Sequence, residues 1–256
     1  MKIYAIANQK GGVGKTTTSV NLAAALAAMK RRVLLVDLDA QGNATMGVGV
    51  DKHGIERGAC EVLTGDATAL EAVVPTPTAN LSVLPANDTL TAAEVHLKNR
   101  DSASGVLRQA LASLDGRFDV VLLDCPPSLS MLTVNALAAA DGVVIPMQCE
   151  YYALEGLSSL VRTIGQIRQS VNPRLEIAGV LRTMYDPRSN LSRQVSLELT
   201  KHFDDSLLRT VVPRNVRLAE APSHGEPVIS YDPRSTGAKA YIALAGELTR
   251  RENRKS

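Results

Sequence analysis

Tryptophan is absent from this 256-residue chain, phenylalanine occurs twice, and aromatic residues make up 3% of it. A protein that holds single-stranded nucleic acid by stacking bases on aromatic platforms needs more rings than this. Cysteine is scarce as well: Cys60, Cys125 and Cys149 are odd in number, widely spaced and without a CxxC pair. That usage argues for reduced thiols and against a zinc site. No apolar run approaches the ~18 residues of a membrane span, and no charged-then-apolar leader precedes the first apolar segment. Membrane insertion and secretion are therefore not expected, and the location implied is cytoplasmic. The histidines, His53, His96, His202 and His224, fall at no ligand spacing and are expected at surface or capping positions.

What is present is a 45% apolar composition, enough to bury the core of one domain spanning residues 1–256. Uninterrupted Val/Ile/Leu runs at Ile3–Ala7, Val33–Val36, Leu81–Leu84, Val120–Leu123, Gly142–Pro146 and Ile177–Leu181 read as strands buried on both faces. Alanine- and leucine-rich stretches between them, such as Thr17–Met29, Ser104–Leu114 and Leu154–Gln169, read as helices. The alternation predicts an α/β fold with a doubly wound, mostly parallel sheet and helices on both faces. No repeat or low-complexity linker interrupts it; residues 249–256 are expected to form a polar, mobile tail. Ligands of such sheets sit at the carboxyl ends of the strands, where each motif below falls.

The stretch Gln9 to Thr18 reads QKGGVGKTTT between the first strand and the first helix. Small residues there bare the backbone N–H groups of Gly11, Gly12, Val13 and Gly14, and the helix adds the positive end of its dipole, so phosphate oxygens are attracted. In that reading Lys15 reaches the outer phosphates, Thr16 ligates magnesium and Thr17 continues the cradle. The general loop would have glycine where Gln9 stands, and it lacks the second lysine, Lys10. A glycine-rich turn that merely carries lysines is the bland alternative. After the second strand, VDLDAQGN offers Asp37 and Asp39; Asp39 is expected to orient the attacking water and Asp37 to support the magnesium shell. The segment FDVVLLDCPPS closes four buried residues with Asp124, the Walker-B pattern for a magnesium-holding acid. The bland alternatives are a strand end capped by solvated acids for Asp37 and Asp39, and a buried, hydrogen-bonded aspartate at either site.

These blocks, with QCEYYALEG, VVPRNVRLAEAPSHG and YDPRSTGAKAY, make the chain resemble, nearly end to end, the ParA/Soj family of deviant Walker-A partition ATPases. The resemblance implies ATP and Mg2+ as ligands and a homodimer with ATP sandwiched between subunits. In it Lys10 crosses to the partner's phosphates, Gly12 marks the close approach of the two cradles, and Asp39 is required for hydrolysis. It also implies sequence-independent binding of double-stranded DNA, hence a nucleoid association, and a ParB-like partner that speeds hydrolysis. Pro213, Arg214 and Asn215, with Met184, are placed near the adenine ring by the same resemblance. Arg188 and Arg217 are its DNA-contact candidates, each of which could instead be a solvated residue or the salt-bridge partner of a nearby acid. Charge permits that role: from Val161 onward there are 16 Lys plus Arg against 10 Asp plus Glu, although the whole chain carries only +2.

Three alternatives share the loop. A MinD-like membrane ATPase would finish in an amphipathic helix with bulky apolar residues, where this chain reads LTRRENRKS. A nitrogenase-iron-protein-like electron carrier would hold an iron–sulfur cluster on cysteines such as Cys125 and Cys149. An amidoligase would need a substrate domain for which the chain is short.

Overall fold

Strands without polar interruption must be covered on both faces, and this chain carries apolar helices for both. The computed structural model describes residues 1–99, 103–151, 153–203 and 205–255. Its strands are β1 Lys2–Ile6, β2 Val33–Asp37, β3 Val74–Pro75, β4 Leu81–Leu84, β5 Val120–Asp124, β6 Gly142–Gln148, β7 Glu176–Tyr185 and β8 Leu207–Pro213. They form one sheet in the order β3-β4-β2-β5-β1-β6-β7-β8. Every neighbouring pair is parallel except β3 with β4. The helices are α1 Lys15–Ala28, α2 Asn43–Gly47, α3 Ala59–Thr64, α4 Ala69–Ala72, α5 Leu90–Lys98, α6 Val106–Ala112, α7 Met131–Ala139, α8 Ala153–Ser170, α9 Asn190–Phe203, α10 Val216–Glu220, α11 Val228–Tyr231 and α12 Thr236–Lys255.

Alternation within each strand divides the core in two. Ala5, Leu34, Val36, Val121, Leu123, Val143 and Ile145 point to one face, where they pack with apolar residues of α3 and α5 to α8. Tyr4, Ile6, Val33, Leu35, Leu122 and Val144 point to the other, against α1 and α12. The expected doubly wound architecture is thus the observed one.

Differences from expectation have local causes. β6 runs on to Gln148 and β7 to Tyr185, past the apolar runs that marked them. β8 was not expected because Arg209 and Thr210 interrupt its apolar pattern; it is an edge strand, where polar residues are tolerated. The run expected as a mobile polar tail continues α12 as far as Lys255. Two of its charges are tied to the sheet: Glu252 accepts from the Tyr4 hydroxyl at 2.8 Å, and Arg251 donates to the carbonyls of Leu207 at 2.7 Å and Asp205 at 3.0 Å. Buried Glu247, one turn earlier, accepts the backbone N–H groups of Arg209 and Thr210, so the end of α12 is stitched to β8. No helix among the described residues is long and apolar enough to cross a membrane.

Candidate active site

Three strands at the middle of the sheet bring the motifs together. β1 and β2 both flank β5, with Ile6 and Asp37 each in register with Asp124. The glycine-rich loop after β1, the acids closing β2 and the acid closing β5 therefore meet at one edge.

The loop reaches α1 through Gly12 and Gly14, at φ +73° and +85°, values that a residue with a Cβ adopts only at a cost of roughly 1–2 kcal/mol. Thr183 at the end of β7 donates its hydroxyl to the Val13 carbonyl at 2.8 Å and braces the loop from the side. Met184 follows with φ +48°, and its Sδ-bound methyl lies 4.0 Å from where a Cβ on Gly14 would stand. The loop thus rests against β7, two strands away from β1.

Lys15, 7% exposed, is the most confined cation of the loop. Its ammonium donates to the Lys10 carbonyl at 3.0 Å. Burial pushes its pKa down, opposed by the nearby Asp124, Cys125 and Asp39, so a further anion at this ammonium would be welcome. Lys10 differs: its side chain is 42% exposed and ion-paired with Glu150 beyond β6. Asn8 fixes the backbone beneath it, accepting the Lys10 N–H at 3.0 Å and donating to the Pro146 carbonyl at 2.8 Å.

Asp124 is fully buried. Its Oδ1 accepts from Ser19 Oγ at 2.7 Å, while Oδ2 has no hydrogen-bond partner among the described residues. Desolvation, then the charge of Asp37, pushes its pKa from 3.8 up to about 7; the Ser19 and nearby Thr16 hydroxyls oppose the shift. A buried carboxylate oxygen left without a donor, beside Thr16, is a donor set suited to a hard divalent cation such as magnesium.

Asp37 is also fully buried, but its oxygens are engaged. Oδ2 accepts Thr45 N–H and Thr45 Oγ1, both at 2.8 Å, and Oδ1 accepts Asp39 N–H at 3.1 Å. Burial, partly offset by those bonds, raises its pKa to about 6. Asp37 thus holds α2 and the Asp39 backbone, with both its oxygens engaged by protein donors. Asp39 itself is half-buried, and its Oδ1 accepts Gln41 N–H at 3.0 Å.

The ring candidates lie farther along the sheet. Pro213 ends β8 opposite Tyr185, and Asn215 caps α10 by accepting Leu218 N–H at 3.2 Å while donating to Thr236 Oγ1 at 2.9 Å. Both DNA candidates are held by local acids. Arg188 makes a two-pronged pair with Asp186, both contacts 3.0 Å, and Arg217 meets Glu220 at 2.7 Å and Asp232 at 3.4 Å. Sequence reasoning missed Ser19, Thr45, Thr183 and Glu150. Ser19 lies one helical turn beyond Thr16 and could have been found by that spacing; Thr45 follows Asp37 by eight residues, but its bond depends on how the loop turns back; Thr183 and Glu150 come from distant segments that only folding joins.

A doubly wound parallel sheet with a strand–glycine-rich-loop–helix cradle, a buried lysine and a Walker-B acid defines a phosphate-binding-loop nucleoside triphosphatase. Residues 1–177 match the family model described as an AAA domain. The chain is 53% identical over 247 residues to the sporulation initiation inhibitor protein Soj of Bacillus subtilis, covering 96% of this chain and 98% of that one. It is 51% identical over 255 residues to the chromosome partitioning protein ParA of Myxococcus xanthus, covering 100% and 90%. The chain belongs to the ParA/Soj family of chromosome-partitioning ATPases, and its reaction is ATP hydrolysis. Among solved structures, a Mycobacterium smegmatis protein described as cobyrinic acid a,c-diamide synthase, with bound ADP and magnesium, superposes with TM-score 0.88 at 41% identity, covering 100% of this chain and 97% of that one. The cell division ATPase MinD of Pyrococcus furiosus superposes with TM-score 0.82 at 28% identity, covering 97% and 98%.

Proposed function

We propose that this protein hydrolyses magnesium-bound ATP at the β1–α1 loop, dimerises around two ATP molecules, and in that state holds duplex DNA until a ParB-like partner speeds hydrolysis. The observation that carries the reading is the pair of lysines on one loop: Lys15 buried beside the unpartnered Asp124 oxygen, and Lys10 half-exposed above it.

The two lysines divide the work. The four charges of ATP enclosed between identical surfaces repel unless cations accompany them. Lys15 serves its own subunit's outer phosphates. Lys10 is free to turn outward at little cost, because an exposed ion pair such as that with Glu150 is worth about 0–1 kcal/mol. Exchanging Glu150 for a partner's γ-phosphate then favours the dimer with ATP and not with ADP, since only differential affinity shifts the equilibrium. Thr16 and Asp124 are the residues that would hold magnesium, which supplies charge neutralisation across the outer phosphates. Asp39 would orient water.

DNA contact follows the same reasoning. Arg188 and Arg217 are exposed and paired with acids, and such pairs exchange readily for phosphates. Doubling the arginines in a dimer steepens the salt dependence of binding.

Sedimentation velocity tests the reading. The wild-type protein with ATP and magnesium should run as a dimer, and as a monomer with ADP. Lys10→Ala should still bind nucleotide but stay monomeric; an unchanged ATP dimer in that variant removes Lys10 from the interface.

A further inference from the structure

The sequence assigns Thr45 no role of its own, yet it is fully buried and makes a three-way junction behind the loop that carries Asp39. Its hydroxyl accepts Ala86 N–H at 3.0 Å and donates to Asp37 Oδ2 at 2.8 Å, and its own N–H adds a second bond to the same oxygen. Asp37 in turn spends its other oxygen on Asp39 N–H. The loop between them has no slack. Gly42, at φ +63°, sits so close to the Ala86 carbonyl that a Cβ would come within 2.6 Å of that oxygen. The segment after β4 therefore fixes Thr45, Thr45 fixes Asp37, and Asp37 fixes the backbone of Asp39.

We propose that Thr45 is a positioning residue for ATP hydrolysis, acting through Asp37 on Asp39. This rests on the reading of Asp39 as the residue that orients water. A hydroxyl is required because one group must accept from Ala86 and donate to Asp37 at once, which valine of the same shape cannot do. With the bridge gone, Ala86 N–H is left without its acceptor and Asp37 can rotate, carrying Asp39 away from the geometry that hydrolysis needs. Nucleotide grip depends on the β1–α1 loop and Asp124 and is untouched.

The test is steady-state hydrolysis, magnesium dependence and ATP-dependent sedimentation of the full chain. Thr45→Val should lower kcat by about tenfold to a hundredfold while KM for ATP changes less than about twofold and the ATP dimer persists. Thr45→Ser, which keeps the hydroxyl, should restore the rate. Asp37→Asn provides a second variant that relieves buried charge: its single carbonyl oxygen can serve Asp39 N–H or the Thr45 donors but not both, and the NH2 in place of the other oxygen faces a donor, so the relay is broken and kcat should fall with the magnesium dependence unchanged. Wild-type rates in both Thr45→Val and Asp37→Asn, with Asp39→Ala inactive, overturn the inference. So does loss of nucleotide affinity and dimer in parallel with rate, or a shifted magnesium requirement in Asp37→Asn, since these mark a structural or metal role. Hydrolysis at the wild-type rate by Asp39→Ala instead overturns the reading of Asp39.

Discussion

Replacing Asp124 by asparagine should stabilise the ligand-free protein above neutral pH while removing its response to magnesium and nucleotide. The carboxyl is raised from 3.8 to about 7 by burial and by Asp37. An acid whose pKa is raised on folding holds its proton in the folded state over a range where the unfolded chain has lost it, so its contribution is intact below the unfolded value and declines as pH rises through the folded one. At ~1.4 kcal/mol per pH unit, the loss over that window is about 4 kcal/mol. Asparagine can accept from Ser19 as Asp124 does and carries no charge, so this part of the pH slope disappears. For a chain of this size the variant should melt roughly 8–16 °C above wild type at pH 8, and only about 3–6 °C above it at pH 5, where little more than one unit of the window has been crossed. Circular dichroism melts in EDTA across that range measure the difference. Adding magnesium and ATP should then raise the wild-type melting temperature by mass action and leave the variant nearly unmoved. Parallel melting curves for the two proteins at all pH values would refute the idea that burial of Asp124, with one oxygen left without a donor, costs the ligand-free protein stability.

Gly42→Ala should lower both stability and kcat: the left-handed backbone costs roughly 1–2 kcal/mol with a Cβ, and the 2.6 Å approach to the Ala86 carbonyl forces the Asp39 loop to shift. Melting and turnover measured together check it. Arg188→Ala and Arg217→Ala should each weaken duplex binding by the ATP-loaded protein and reduce the slope of log affinity against log salt by about 1 for every phosphate that the missing guanidinium had neutralised. A titration across salt concentrations that returns the wild-type slope removes either arginine from the DNA interface.

How far the sequence reached depended on whether a signal was local. β1, β2, β4 and β5 are legible because each is built on a short, predominantly apolar run, and the glycine-rich loop because φ +73° and +85° require glycine where Gly12 and Gly14 stand. Asp124 was legible from its place after four buried residues. The adjacency of β2, β5 and β1 was not, since the order in the sheet follows from crossovers that leave no trace in composition. Nor was the end of α12: a run of charges looks like solvent-facing chain, and only the fold reveals Tyr4 and Leu207 waiting to receive Glu252 and Arg251. Asp37 and Asp39 illustrate the limit most sharply. Two acids two residues apart on a strand end look equivalent in sequence, yet the strand turns Asp37 inward onto Thr45 and leaves Asp39 half-exposed.

Brevity does not separate this chain from an amidoligase, because the Mycobacterium smegmatis protein described as a diamide synthase is matched over 97% of its length. The cysteines bear on one form of that chemistry. An amide-forming enzyme that draws nitrogen from glutamine needs a thiolate, exposed and of lowered pKa. Cys60, Cys125 and Cys149 are all buried, and burial is the largest influence on each, raising every one of their pKa values, that of Cys149 to about 11. Cys60 and Cys125 also direct their sulfurs at the carbonyls of Thr89 and Leu123. A thiol held protonated against a carbonyl is a poor nucleophile, so none of the three is placed to draw nitrogen from glutamine, whereas hydrolysis of the phosphoanhydride of ATP, the reaction of this family, asks for no thiolate.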